Sequence, residues 1–566
     1  MKTAPFLFLF LGISAMAFAD SAEPDLPVRF ESFRVDYRLN DDASHVESYA
    51  WAKKVLKERA VEGAKEATIS YSTSIQKAEV VEAYTRKADG RRIDVPKNNF
   101  QLEVNSGREK DAPVYSDFST LTVVFPEVAV GDTVVLAYRV IQTEPMFPGH
   151  FSDSRTFPRV YAFDDVTIRF DLPSALWVQS EARQMTERVT EESGRRIIEW
   201  RYANSKPVKS ERRNYSVYDA EQEPGYALST FRSYAEIVEA YGLRARPKAA
   251  VTSRIQKLAD ELTAGKKGAR EQTQALYDWV ATQITYAGNC IGVGAVVPHD
   301  TDFILDNRMG DCKDHATLLQ ALLAAKGIRS IQALVNAGAN YKLPRIPVVE
   351  SVNHVINYLP DFDLYVDSTA STIPFGMLPF QVADKPVLWV DGYREATRTP
   401  ATRVGDNEQR VKTVVKVGSD GSAKGHMEIA QKGMFAVEMR AWIRDLAEEE
   451  KERTVRNWYQ RVGWIGEGKA HLPDAKALRS DYEHRVEFER QDFVQRPGSG
   501  AFTIEPLFYT RAPVASFAHA AVEPVEEVDV ACGSGLSSEE YVYEFPKGMK
   551  ILAIPDNLSL SNDFLS

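Results

Sequence analysis

The sequence predicts an α+β protein, with a central block of helices followed by strands between two β-rich blocks. Three observations predict this. Residues 28–220 alternate apolar and polar positions in short runs divided by turn residues. Residues 233–327 switch to helical spacing. From about residue 395 alternation returns, interrupted by one long charged amphipathic run.

The 566 residues suffice for about three domains, each with its own core. With 44% hydrophobic and 26% charged residues the chain reads as globular. A net charge of −11 without a basic block gives no footprint for nucleic acid.

Met1 to Ala19 reads as a cleaved signal peptide: Lys2, the apolar run Phe6–Leu11, then Ala17-Phe18-Ala19, with cleavage predicted before Asp20. No cysteine follows the cleavage site to carry a lipid anchor, and no later run is long enough to span a membrane. The expected location is periplasmic or secreted. Only Cys290, Cys312 and Cys532 are present, so no disulfide framework exists and at least one thiol is left over. A Cys290–Cys532 bridge stays open beside a simple buried role for both.

Residues 20–222 are expected to form a β-sandwich. Its strands are read at Ala67–Ser72, Val80–Thr85, Leu121–Phe125, Thr133–Val140, Val166–Leu172 and Arg196–Tyr202. Turns fall at Ala88-Asp89-Gly90, Val130-Gly131-Asp132 and Ser193-Gly194. The central domain is set at 223–392. Helices are expected at Ser233–Tyr241, from Pro247 to about Thr263, and at Ala269–Thr282, followed by an extended Ile284–Tyr286 and a Gly-rich loop from Gly288 to Pro298.

The next helix opens on Gly310-Asp311-Cys312-Lys313-Asp314-His315-Ala316. Asp311 and Asp314 have the spacing of a capping box written in carboxylates. Gly327, with Ile328 after it, fits the left-handed exit. Cys312 thus sits on a helix's first turn, where the dipole favours a thiolate over a thiol. Strands follow at Ile331–Asn336, Val352–Tyr358 and Asp363–Asp367. Residues 393–566 are assigned to a β-rich domain with one long helix from Phe435 to Val462, strands at Tyr482–Phe488 and Glu540–Phe545, and a final strand expected to be missing.

A cysteine nucleophile needs a base and a group to orient it. His354 and Asp367 are symmetric about the Pro360–Asp361 midpoint, so a hairpin centred there makes them cross-strand neighbours on one face. A pair of satisfied polar residues in a sheet remains the alternative. His315, one helical turn from Cys312, is a second possible base with only Asp311 or Asp314 to orient it. His299 with Asp300 and Asp302 lacks a second histidine at metal-ligand spacing, and calcium at Asp300, Asp302 and Asp306 is a minor possibility.

Two resemblances follow. Ala83 to Gly90, Phe125 to Asp132 and Pro158 to Phe163 carry motifs similar to the uncharacterised β-sandwich domain found ahead of transglutaminase-like domains in exported bacterial proteins. Gly310–Ala316, Asn353-His354-Val355 and Leu364–Thr369 resemble the transglutaminase-like cysteine enzymes of the papain-like fold. That resemblance implies Cys312 as nucleophile, His354 as base and then acid, and Asp367 as orienter. It implies thioester acyl transfer on a peptide or protein amide, hydrolysis being favoured over cross-linking, with no metal or cofactor. Tyr286, Asn289 and Trp279 are candidates for the oxyanion donor beside the Cys312 backbone N–H. The competing reading is a non-catalytic binding or scaffolding protein that uses its β domains.

Overall fold

The computed structural model describes residues 25–104, 108–109, 112–113, 118–209, 216–288, 295–516, 528–559 and 561. The α+β expectation holds. The signal segment, Asn289 and Cys290 lie outside the described residues. Cys312 and Cys532 are free thiols.

The N-terminal region is one eight-stranded sheet faced by two three-stranded sheets. The strand Val28–Leu39 lies in its middle, antiparallel to His45–Val55 and parallel to Ala162–Pro173. Two apolar cores form along this sheet. One gathers Val55, Ile69, Val123, Phe125, Val134 and Leu136, the other Val35, Tyr37, Ile168, Phe170, Trp200, Tyr226 and Leu228. Tyr226 and Leu228 belong to Gly225–Ser229, a fully buried strand paired on both sides, with Ser152–Thr156 and with Gln179–Arg183.

The central region packs helices against a four-stranded antiparallel sheet ordered Leu364–Val366, His354–Leu359, Ile331–Val335, Val387–Trp389. The helix Cys312–Ala324 lies between the two layers. Leu318, Leu319, Leu322 and Leu323 join Leu276, Tyr277, Val280 and Ile304 on one side, while Ala316 meets Leu334 and Val355 on the other. Apolar contacts on both sides bury the helix as a central element.

Two helices differ from expectation. The run from Pro247 to Thr263 is a short 3-10 turn, Arg246–Ala249, and a separate helix, Ser253–Leu262. The Thr252 hydroxyl accepts from the Ile255 N–H and starts the second afresh. The long C-terminal run is likewise two helices, Met434–Asp445 and Glu448–Val462. Leu446 and Ala447 are extended, and Glu450 folds back on the Ala447 N–H at 2.9 Å. Three glutamates in the new first turn suit the positive end of its dipole. Both helices accompany a five-stranded sheet closed by Leu536–Glu544, parallel to Glu408–Val417. Among the described residues no helix is long and apolar enough to cross a membrane, which says nothing of β-barrels.

Candidate active site

The expected cap forms as written. Asp311 accepts from the N–H groups of Lys313 and Asp314 at 3.1 and 3.3 Å, and Asp314 Oδ2 accepts from the Asp311 N–H at 3.1 Å. Asp311, Lys313 and Asp314 are all buried, with the Lys313 ammonium on Asp311. Gly310 is required by this cap, since a Cβ there would stand 2.6 Å from the Asp314 Cβ. The helix leaves through Gly327 at φ 70°, with the Ile328 N–H returning to the Leu323 carbonyl at 3.0 Å. Cys312 is half-buried on the first turn.

The helix is held to the sheet by buried polar bonds. The Tyr241 hydroxyl donates to Gln332 Oε1 at 2.7 Å, and Gln332 Nε2 donates to Thr317 Oγ1 and Gln320 Oε1 at 3.0 and 2.9 Å. Asn357 Nδ2 donates to the Ala316 carbonyl at 3.0 Å. Buried Tyr241, Gln332, Thr317 and Asn357 thus find partners in one another, in half-buried Gln320 and in the helix backbone, so the helix has a fixed seat on the sheet.

His354 and Asp367 do meet, at 2.8 Å between Nε2 and Oδ2. The hairpin that brings them together differs from expectation. Leu359 pairs with Leu364, Tyr358 with Tyr365 and Asn357 with Val366. The turn is therefore centred one residue later, between Asp361 and Phe362. Pro360–Phe362 wind a 3-10 turn, and Asp363 takes a left-handed conformation, φ 47°, to close it. A one-residue shift in centre moves every partner by two, which keeps the face and makes the pair diagonal. Asp367 lies beyond the last paired residue, Val366. Its Oδ1 accepts from the Thr369 N–H at 3.1 Å and hydroxyl at 2.6 Å.

Burial alone would lower the His354 pKa. The Asp367 charge and hydrogen bond, with a bond to the Cys312 side chain, outweigh it and raise the imidazole well above its ordinary value. Burial likewise pushes Asp367 up, but His354 and Thr369 hold it below the usual carboxylate range. Nε2 is the ring nitrogen committed to Asp367, and Nδ1 lies outside that bond.

The other named residues each have their own surroundings. His315 is fully buried and donates through Nδ1 to the Ser368 carbonyl at 2.9 Å. His299 bonds Asp314 through Nδ1 at 2.9 Å and through its backbone N–H at 2.8 Å. Asp300 pairs with Lys248, and Asp302 and Asp306 with Arg254. Tyr286 pairs with Gly310 at the entry to the cysteine helix. Trp279 packs on the helical core, with the Arg308 guanidinium 4.9 Å from its ring. One residue that sequence reasoning passed over is Tyr277, whose buried hydroxyl stands 3.0 and 2.9 Å from the Asp367 and Ile373 carbonyls. A tyrosine on the apolar face of a helix is the available signal, because its hydroxyl needs a partner once buried.

The structure thus has a half-buried thiol at a capped helix start and, on the strand packed against that helix, a histidine held by a buried carboxylate. Family comparison agrees on the fold. Residues 256–356 match the transglutaminase-like superfamily, and residues 41–209 match a domain of unknown function with solved structure. The chain thus carries a transglutaminase-like core behind that β-rich domain. A candidate protease from Parabacteroides distasonis superposes with TM-score 0.60 at 15% identity, over 82% of this chain and 93% of that one. An M1 zinc metallopeptidase from Deinococcus radiodurans (12% identity, 36% and 42% coverage) reaches a TM-score of only 0.20 and carries no argument. No curated protein sequence matches the chain.

Proposed function

We propose that the protein is an exported thiol-dependent acyl-transfer enzyme acting on peptide or protein amides, with Cys312 as nucleophile, His354 as base and acid, and Asp367 as orienter. The observation that carries this reading is the His354 imidazole bonded to the buried Asp367 carboxylate at 2.8 Å, on the strand packed against the helix that opens with Cys312. The Cys312 thiolate adds to the amide carbonyl carbon. His354 passes its proton to the departing amine as the C–N bond breaks, leaving a thioester on Cys312. His354, now neutral, takes a proton from water as the hydroxide adds to the thioester carbon, and the C–S bond then breaks to release the acid and return the thiolate and protonated His354. A second amine in place of water would give transamidation; hydrolysis is the favoured course.

The cap supports the oxyanion assignment. Asp311 takes the N–H groups of Lys313 and Asp314, and that of Cys312 is not among its partners. At the positive end of the helix it suits a developing negative oxygen. Tyr286 is the candidate for the second donor, because its strand borders the helix start. Domain limits of 20–222, 223–392 and 393–566 along the sequence and removal of residues 1–19 belong to the same proposal, with the strand Gly225–Ser229 reaching back across the first limit to pair with Ser152–Thr156 and Gln179–Arg183.

A thiol-reactive probe carrying an amide-like recognition group tests it. Wild type labels at Cys312, while Cys312→Ala does not label and His354→Ala labels slowly. Equal labelling of all three would return the protein to the binding or scaffolding reading.

A further inference from the structure

Asp367 has a positioning problem that the sheet does not solve. Its strand ends at Val366, and the observed register leaves it diagonal to His354 rather than opposite. A carboxylate that must hold an imidazole within a few tenths of an ångström needs anchors outside the ladder. The chain around it supplies them. Thr369 fixes one carboxylate oxygen through its N–H and hydroxyl. The Tyr277 hydroxyl lies at the Asp367 carbonyl, 3.0 Å away. Buried Arg440, from the C-terminal region, donates to the Thr372 carbonyl at 3.0 Å.

The anchor between these comes from the cysteine helix itself. His315 follows Cys312 by three residues, with 0% of its surface exposed. Its Nδ1–H donates to the carbonyl of Ser368, the residue after Asp367, at 2.9 Å. With Nδ1 the donor, a neutral ring carries a lone pair on Nε2, and that atom has no hydrogen-bond partner among the described residues. Burial lowers the His315 pKa, which favours this neutral form.

Resting on the triad assignment above, we propose that His315 is a positioning residue: its neutral imidazole ties the segment bearing Asp367 directly to the helix bearing Cys312. The nucleophile and the orienter then move as one body, and His354 docks between them. His315 touches neither substrate nor thiol in this role. Its place in the sequence beside Cys312 gives it a second base's appearance, and its donor points to the wrong side for that task.

Two amide substitutions separate this from a general packing role. In His315→Asn the side-chain N–H₂ occupies the place of Nδ1. In His315→Gln it lies one bond further out, near the place of Nε2. Both put an amide in the same buried site, so a role limited to packing would treat them alike. The readout is the rate of Cys312 alkylation by iodoacetamide across pH, with mass analysis to identify the modified thiol. His315→Asn is expected to keep the wild-type profile. His315→Gln is expected to lose on the order of 10- to 100-fold in rate at neutral pH, the scale of an ångström-sized misplacement. Its limb set by His354 should move down towards an ordinary imidazole.

Tyr277→Phe removes the adjacent anchor and should shift the same limb in the same direction, by less. Equal behaviour of the Asn and Gln variants, folded or not, overturns the proposal. If wild-type Cys312 reacts no faster than the exposed Cys532, the triad reading itself fails, which is a distinct outcome.

Discussion

Two histidine–carboxylate pairs flank the same helix start, and they differ in what the carboxylate still has to give. In the pair His299–Asp314, at 2.9 Å, both Asp314 oxygens also serve backbone N–H groups, those of His299 and Asp311. The His299 ring stacks on Phe303 at 4.6 Å. Burial works against the Asp314 charge, but the His299 bonds and the Lys313 ammonium hold its pKa below the usual range. This pair braces the helix cap. In the pair His354–Asp367, at 2.8 Å, one carboxylate oxygen takes Thr369 and the other is left for the ring. Asp367 and, after it, Cys312 raise the pKa of that ring against the effect of burial. The distances are nearly the same, so distance does not set the two pairs apart. What sets them apart is the oxygen that meets the ring: Asp314 Oδ2 also serves the Asp311 N–H, while Thr369 takes the other oxygen of Asp367.

The largest test of this contrast is Asp367→Asn. An amide can no longer stabilise the imidazolium and favours the wrong tautomer, so kcat/KM on a cleavable amide should fall by about 10³–10⁴-fold. Asp314→Asn, made at the brace, should leave the activity of the folded fraction within a few-fold. Comparable losses would erase the distinction.

Stability should respond in the opposite sense. Asp314→Ala removes acceptors from buried donors and is expected to cost about 1–3 kcal/mol in chemical denaturation. Gly310→Ala forces a Cβ against Asp314 and should cost a similar amount, about 1–3 kcal/mol. A neutral result for either would mean that the cap tolerates loosening.

The smallest expected effect is a change in pH dependence. His354 is raised in the folded state, so its stabilising contribution is complete below the ordinary imidazole value of about 6.5 and is lost as pH rises through the raised value. Asp367 is lowered, so its contribution is present above the ordinary carboxylate value of about 3.9 and is lost as pH falls through the depressed one. Cys312→Ala removes one of the causes that raise His354. The His354 titration, followed by NMR of the ring, should move down, and Asp314→Asn should leave it in place.

Much of this site was legible in the sequence because its signals are local. The Asp311–Asp314 cap, the Gly327 exit and the position of Cys312 each follow from a few adjacent residues. The His354–Asp367 face was legible too, since parity survives a two-residue slip. The slip itself was not. It depends on Pro360–Phe362 choosing a 3-10 turn and Asp363 a left-handed one, and nothing in the alternating strands favours that centre. The two broken helices were missed for a related reason. Apolar spacing runs through Ala250-Val251 and Leu446-Ala447 without interruption, and the caps at Thr252 and Glu450 compete with continuation only weakly. The roles of Tyr277 and His315 depend on a loop some fifty or more residues away, beyond any local pattern.

The strand Gly225–Ser229 bears on how this protein can be divided. It lies between Ser152–Thr156 and Gln179–Arg183, so it is the middle of its small sheet. Five residues later the first helix of the central region begins at Tyr234. Contacts from the other direction reinforce the join, with Arg345 on Glu181 and Lys342 on Asp219. A fragment ending near residue 209 would leave two strands without the partner between them and would expose the core around Tyr226 and Leu228. A fragment beginning at residue 225 would carry a wholly buried strand with nothing to pair. The cut that a sequence profile suggests is therefore a cut through a sheet, and the two regions are expected to be inherited, expressed and unfolded together.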